Sequence, residues 1–116
     1  MKSLLPTVRA IAMKLPGVEE GTSYGTPAFK VKGKLLARMK EDGETLVLRV
    51  GLELKEALIE ENPEVFFTTP HYDGYAAVLV RVGKISKGEL TRVVDEGWHF
   101  VAPKKLVSER AKNKEK

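Results

Sequence analysis

The polar and apolar positions of this chain change period several times. Over residues 4–15, Leu4, Val8, Ile11, Ala12 and Leu15 recur at helical spacing, with Ser3 as an N-cap and Pro16–Gly17 as the stop. Residues 18–27, VEEGTSYGTP, are dense in turn formers and read as an ordered loop with a short extended piece near Ser23 and Tyr24. From residue 28 the period drops to two. Phe29 and Val31 alternate with Lys30 and Lys32, and Gly33–Lys34 makes a tight turn. Leu35, Ala37 and Met39 then alternate with Leu36, Arg38 and Lys40. Asp42–Gly43 is a strong hairpin signal, and Leu46, Leu48 and Val50 follow it opposite Thr45, Val47 and Arg49. These three runs predict an antiparallel meander.

The second half predicts two helices and two strands. Residues 53–61 are helix-forming, with Leu54, Ala57 and Leu58 on one side, and Asn62–Pro63 ends them. Residues 64–70 read as a short strand, 71–75 as a turn and 76–85 as a strand. That last strand sets Val78, Val80 and Val82 against Ala77, Leu79 and Arg81. Ser86 caps a helix over 87–99, with Glu89 at the capping-box position and Leu90, Val93, Val94 and Trp98 as its apolar stripe. Gly97 reads as a local weakness inside it. The order is α-β-β-β-α-β-β-α. Helices and hairpins are segregated, which predicts an α+β fold of two layers, an antiparallel sheet with helices on one face.

The 116 residues and the 42% hydrophobic content suit one domain with a real core. Residues 1–107 are taken as that domain and 108–116 as a basic flexible tail. There is no cysteine, hence no disulfide and no thiolate chemistry. The opening stretch carries Lys2, Arg9 and Lys14 and falls short of the ~20 apolar residues that span a bilayer. It reads as an amphipathic helix, and the expected location is the cytoplasm, with no membrane partner. The net charge of +4 is localised. Residues 103–116 hold six basic side chains against two acidic ones, and residues 1–102 hold fourteen of each.

If helices cover one sheet face, the other carries Lys30, Lys32, Arg38, Lys40, Arg49 and Arg81. A water-facing sheet alternates in this way by default, and lysine commonly protects edge strands. The same convergence would also serve to neutralise phosphates. Tyr24, Tyr72 and Tyr75 lie near turns, while Phe66, Phe67 and Trp98 read as core. The strands carry no aromatic pair of the kind that stacks single-stranded bases. No metal, P-loop, dinucleotide or G-x-S-x-G pattern is present, so no cofactor, metal or catalytic residue is expected. His71, Tyr72 and Asp73 sit together but suit a turn equally well. His99 reads as an interfacial histidine.

Several segments together resemble a known family. LPGVEEGTSYGTPAFKVKGKLLARM, LVLRV, NPEVFFTTPHYDGYAAVLVRV and WHFVAPKKL look like the YjbR/MmcQ family of small bacterial proteins. The likeness covers roughly residues 5–107. Its most telling parts are YGTPAF, TPHYDGY and the W-x-x-V-A-P-K segment. It implies an antiparallel sheet with helices on one side, similar in layout to type III secretion chaperones. It also implies DNA binding through a double-wing motif, the usual description of the family.

The leading expectation is therefore a DNA-binding protein that contacts phosphates, with little sequence readout. Its contacts would be Lys30, Lys32, Lys34, Arg38, Lys40, Arg49 and Arg81, with Lys104 and Lys105 adding non-specific attraction. Two alternatives remain. One is a protein-interaction module, as a homodimer or a peptide binder by β-addition. The other is a binder of a small anionic ligand, in a pocket between Tyr24, Thr26, His71, Tyr72, Tyr75 and Trp98.

Overall fold

Two-residue turns organise the first half of the chain. Tyr24 and Gly25 adopt φ of 53° and 78°, the doubly left-handed pair that a type I′ hairpin turn demands. They join β1 (Val18–Ser23) to β2 (Thr26–Val31). Lys32 and Gly33, at 49° and 85°, repeat the device between β2 and β3 (Lys34–Met39). A third turn leads into β4 (Thr45–Arg49), where Asp42 Oδ1 accepts from the amides of Glu44 (2.8 Å) and Thr45 (2.9 Å). Then follow α2 (Leu52–Glu61), β5 (Phe66–Phe67), a 3₁₀ turn at Pro70–Tyr72 and β6 (Ala77–Arg81). Helices α1 (Leu5–Ala12), α3 (Lys87–Val101) and α4 (Lys104–Lys114) complete the fold. This computed structural model describes residues 4–114.

The six strands form one sheet in the order β1-β2-β3-β4-β6-β5, antiparallel at every pairing. The two-layer α+β architecture is as the pattern predicts. One face is dry. Phe29, Val31, Leu46, Leu48, Val78 and Val80 pack there against Val8 and Ile11 of α1 and Leu90, Val93, Val94 and Trp98 of α3. The Trp98 ring is fully buried, and its Nε1 donates to the Pro16 carbonyl at 2.8 Å. Ser86 caps α3 as expected, its hydroxyl accepting from the Glu89 amide.

Gly97 has a constructive role rather than the weakness its composition suggests. A Cβ there would lie 2.6 Å from the Arg49 carbonyl oxygen. The glycine lets α3 approach the backbone of β4.

A β-bulge changes which residues face the helices. Phe29 pairs with Ala37, but Lys30 pairs with Leu35, so Leu36 is the extra residue of β3. Leu36 and Ala37 both enter the core, and Leu35 turns to the other face. Strict alternation had Leu35 inside and Leu36 outside. One inserted residue is enough to invert that assignment.

Five other expectations change. The strand expected over 76–85 is confined to Ala77–Arg81, and Val82–Lys84 form a 3₁₀ turn. Residues 18–23 form an edge strand, because the Tyr24–Gly25 turn lays them along β2. The strand expected over 64–70 shrinks to Phe66–Phe67. The β2–β3 turn falls on Lys32–Gly33, so Lys32 leaves the strand. Residues 108–114, expected as a flexible tail, are the last turns of α4. They are anchored by Arg110, which pairs with Asp95 at 2.6 Å and covers the Trp98 ring at 4.7 Å. The expected cap Ser3 and tail residues 115 and 116 lie outside the described residues.

Candidate anion site on the second face of the sheet

The face away from α1 and α3 is only partly wet. Ala28, Arg38, Val47, Leu79 and Phe67 stand in register across five strands. The 3₁₀ turn folds over this row, and Tyr72 packs with Val47, Ala77, Leu79 and Phe67 in a second, smaller core. Lys55 of α2 holds the turn down. It is 4% exposed, and its Nζ donates to the carbonyls of Tyr72 (2.6 Å) and Tyr75 (2.8 Å). Desolvation by burial lowers its pKa, and the charge of Asp73 opposes that shift without cancelling it.

The cations expected to point into water are mostly engaged. Arg81 lies 4.0 Å from the Phe67 ring centre and donates to the carbonyls of Pro63 and Glu64. Arg49 lies between Tyr75 (5.0 Å) and Phe100 (5.5 Å) and donates to the Ala76 carbonyl at 2.9 Å. Lys40 sits 5.8 Å from the Tyr72 ring, and Lys30 stands opposite Glu19 in the β1–β2 register. Lys34 is exposed at the start of β3. Lys32 and Lys105 line a separate groove beside Pro103, Leu106 and Glu109, with Lys104 exposed at the start of α4. The nine basic residues therefore do not form one surface.

Arg38 differs from all of these. It is 8% exposed, its Nη1 donates to Thr26 Oγ1 and its Nη2 to the Tyr72 hydroxyl, both at 3.1 Å. The Tyr24 ring lies 5.2 Å from its guanidinium carbon. Among the described residues no carboxylate lies within ion-pairing distance of it. A guanidinium has five N–H donors, and two of Arg38's are used. A buried charge is normally paired, because desolvation is costly.

Arg38 lines a cavity of about 300 Å³ with Tyr24, Leu35, Val47, His71, Tyr72 and Tyr75. His71 meets Tyr72 edge to face at 4.8 Å. The cup thus assembles Tyr24, His71, Tyr72 and Tyr75, with Thr26 behind Arg38. Trp98, also expected there, is instead buried among the residues of the helix-covered core. Sequence reasoning missed Leu35, Val47 and Lys55. Leu35 is displaced by the bulge, and Lys55 reads as one more charge in a helix rich in glutamate. A larger cavity of about 470 Å³ lies among α1, α3 and α4, but its Arg92 and Arg110 are paired with Glu89 and Asp95.

No three histidine, cysteine, aspartate or glutamate side chains gather as a metal site among the described residues. No helix among them is long and apolar enough to cross a membrane.

One six-stranded antiparallel sheet, helices on one face and an aromatic cup on the other define this α+β protein. The chain belongs to the YjbR family, whose sequence profile matches residues 13–100. Uncharacterized protein Rv2570 of Mycobacterium tuberculosis is 48% identical over 66 residues, which is 56% of this chain and 51% of that protein. Uncharacterized protein Mb2600 of Mycobacterium bovis matches to the same extent. The chain spans about half the length of these curated relatives. The crystal structure of Deinococcus radiodurans protein DR2400, a DUF419 domain, is similar in fold. Its TM-score is 0.74 at 22% identity, covering 88% of this chain and 80% of that one.

Proposed function

We propose that this protein is a binding module that takes an anion in the cup around Arg38. The observation that carries the reading is a buried guanidinium held by two hydroxyls, with no carboxylate beside it. An incoming carboxylate or phosphate would supply the missing counter-charge, and a charge-assisted pair to a guanidinium this buried is stronger than one at an exposed surface. The test follows the Arg38 Nε–H resonance while acetate or inorganic phosphate is titrated in. A saturable shift is expected, with a rise in melting temperature as the anion binds the folded state. An Arg38 signal that neither anion moves would refute the reading.

Nucleic-acid binding is the second reading. The groove lined by both Lys32 and Lys105, close to exposed Lys104, favours it. The test is fluorescence anisotropy with labelled duplex and single-stranded DNA over a salt series. It compares wild type with Lys32→Glu combined with Lys105→Glu, two exposed positions. Affinity that falls linearly with salt on a log–log scale, and that the double change removes, would support phosphate contacts. Arg38 is unsuited to that charge reversal, since an acidic side chain there would be buried beside Tyr72.

A further inference from the structure

We infer that the ligand of the cup is a small aromatic monocarboxylate, seated with its carboxylate on Arg38 and its ring among the tyrosines. The inference rests on the anion-binding reading and narrows it through charge, shape and size.

Among the described residues Arg38 is the only lysine or arginine lining the cavity. One guanidinium neutralises one negative charge, and its planar fork matches a carboxylate edge on. A phosphate dianion would ask for a second cation. Lys40 lies 5.8 Å from the Tyr72 ring and is not part of the lining.

The rest of the wall is Leu35, Val47 and four rings, Tyr24, His71, Tyr72 and Tyr75. Apolar walls around one fixed polar group are the usual composition of a small-molecule site. Tyr24 adds an independent sign. Its backbone is left-handed at φ 53° and the residue is 85% exposed. Asparagine or glycine would fill that turn position more cheaply, since the left-handed region costs other residues about 1–2 kcal/mol. A strained tyrosine that gains no burial, standing beside an unpaired guanidinium, is placed as the outer wall for a ring.

The cavity of about 300 Å³ sets the size. At ~30 Å³ per water it holds about ten waters, the space of a one- or two-ring acid.

The experiment is an NMR titration of the intact chain. The probe is 2-naphthoate, compared with neutral 2-naphthamide, non-aromatic cyclohexanecarboxylate, inorganic phosphate, adenosine 5′-monophosphate and a short oligothymidylate. The Arg38 Nε–H and Gly25 amide resonances report the cup. The Trp98 indole N–H, on the other face, reports the fold. Naphthoate should shift the cup signals and leave Trp98 unmoved. The amide and the cyclohexane acid should each bind at least about tenfold more weakly, equivalent to about 1.4 kcal/mol. Tyr24→Ala should weaken naphthoate by a similar factor without changing the Trp98 signal. If Arg38→Gln does not fold, Arg38→Lys keeps the charge and should still lose most of the affinity. If phosphate or cyclohexanecarboxylate binds as well as naphthoate, the aromatic assignment fails while the anion site stands. If the nucleotide or oligonucleotide binds more tightly, the monocarboxylate class is overturned. If none moves Arg38, both readings fail.

Discussion

Replacing Gly97 by alanine tests the closeness of α3 to the sheet, which sets the positions of β3 and β4 beneath the cup. In an isolated helix the change would stabilise by about 1 kcal/mol, because alanine is the better helix former. Here the new methyl would sit 2.6 Å from the Arg49 carbonyl oxygen, 3.0 Å from Leu48 Cδ1 and 3.2 Å from Leu36 Cδ1. The two leucine methyls can rotate away. The carbonyl cannot, because it belongs to a strand paired on both sides by β3 and β6. Reaching ordinary contact at 3.4 Å or beyond requires the helix and strand to separate by roughly 0.8 Å. Overpacking of this kind costs about 1–3 kcal/mol, and a backbone clash belongs at the upper end. Subtracting the propensity gain leaves a net loss of about 2 kcal/mol. For a chain of this size that corresponds to a fall in melting temperature of about 6–10 °C.

The assay is thermal and urea unfolding followed by circular dichroism, with Gly88→Ala as the control. Gly88 lies in the same helix, and a methyl there would meet nothing within 4 Å. The control should match wild type or exceed it. Gly97→Ala should lower the urea midpoint at an unchanged slope, since the exposed surface of unfolding is the same. If Gly97→Ala melts at or above the control, propensity has won and the close approach is not a tight packing constraint.

Tyr24→Asn should raise the melting temperature by a few degrees by relieving about 1 kcal/mol of left-handed strain, while weakening any aromatic ligand of the cup. Lys55→Met should destabilise by about 1–3 kcal/mol, because the Tyr72 and Tyr75 carbonyls lose their buried donor, and hydrogen exchange should quicken across residues 70–76. Burial alone would raise the pKa of Asp42, but donors from Glu44 and Thr45 and the charge of Lys40 bring it below 3.8. Such a carboxylate stabilises fully above its unfolded value, and the contribution is lost as pH falls through the folded one. Asp42→Asn should therefore be less stable than wild type at neutral pH, with the gap closing in acid melts as the pH falls through the lowered pKa of Asp42.

The fold was legible where local signals agree with tertiary pairing. The Asp42–Gly43 turn, the Ser86 cap and the stripe Leu90, Val93, Val94 and Trp98 each predict what forms. Strand β1 was hidden because an edge strand needs no apolar alternation. Glu19, Glu20 and Gly21 are exposed and are held by backbone pairing to β2. Helix α4 was hidden because its attachment is tertiary: Leu106 and Val107 pack on the main core, and Arg110 meets Asp95 and Trp98 from elsewhere in the chain. The bulge at Leu36 left no mark that alternation alone can register. Four members of the cup, Tyr24, His71, Tyr72 and Tyr75, were readable as turn aromatics. Their convergence on Arg38 depends on the register of β2 against β3 and on the tether from Lys55.

That convergence also explains why counting cations on a strand pattern is a poor guide to a phosphate surface. Alternation tells which way a side chain leaves the sheet, and nothing about what loops fold over it afterwards. Here two turns and the short strand β5 bring an aromatic ring to each of these guanidinium groups: Tyr24 to Arg38, Tyr75 to Arg49 and Phe67 to Arg81. Arg49 and Arg81 then reach backbone carbonyls, whose partial negative charge answers theirs. Arg38 reaches hydroxyls alone, one of which, Thr26 Oγ1, gives its own proton to the Ser23 carbonyl. The three arginines look equivalent in sequence, but of the three Arg38 alone reaches neither a carbonyl nor a carboxylate and stands at the wall of the aromatic cavity.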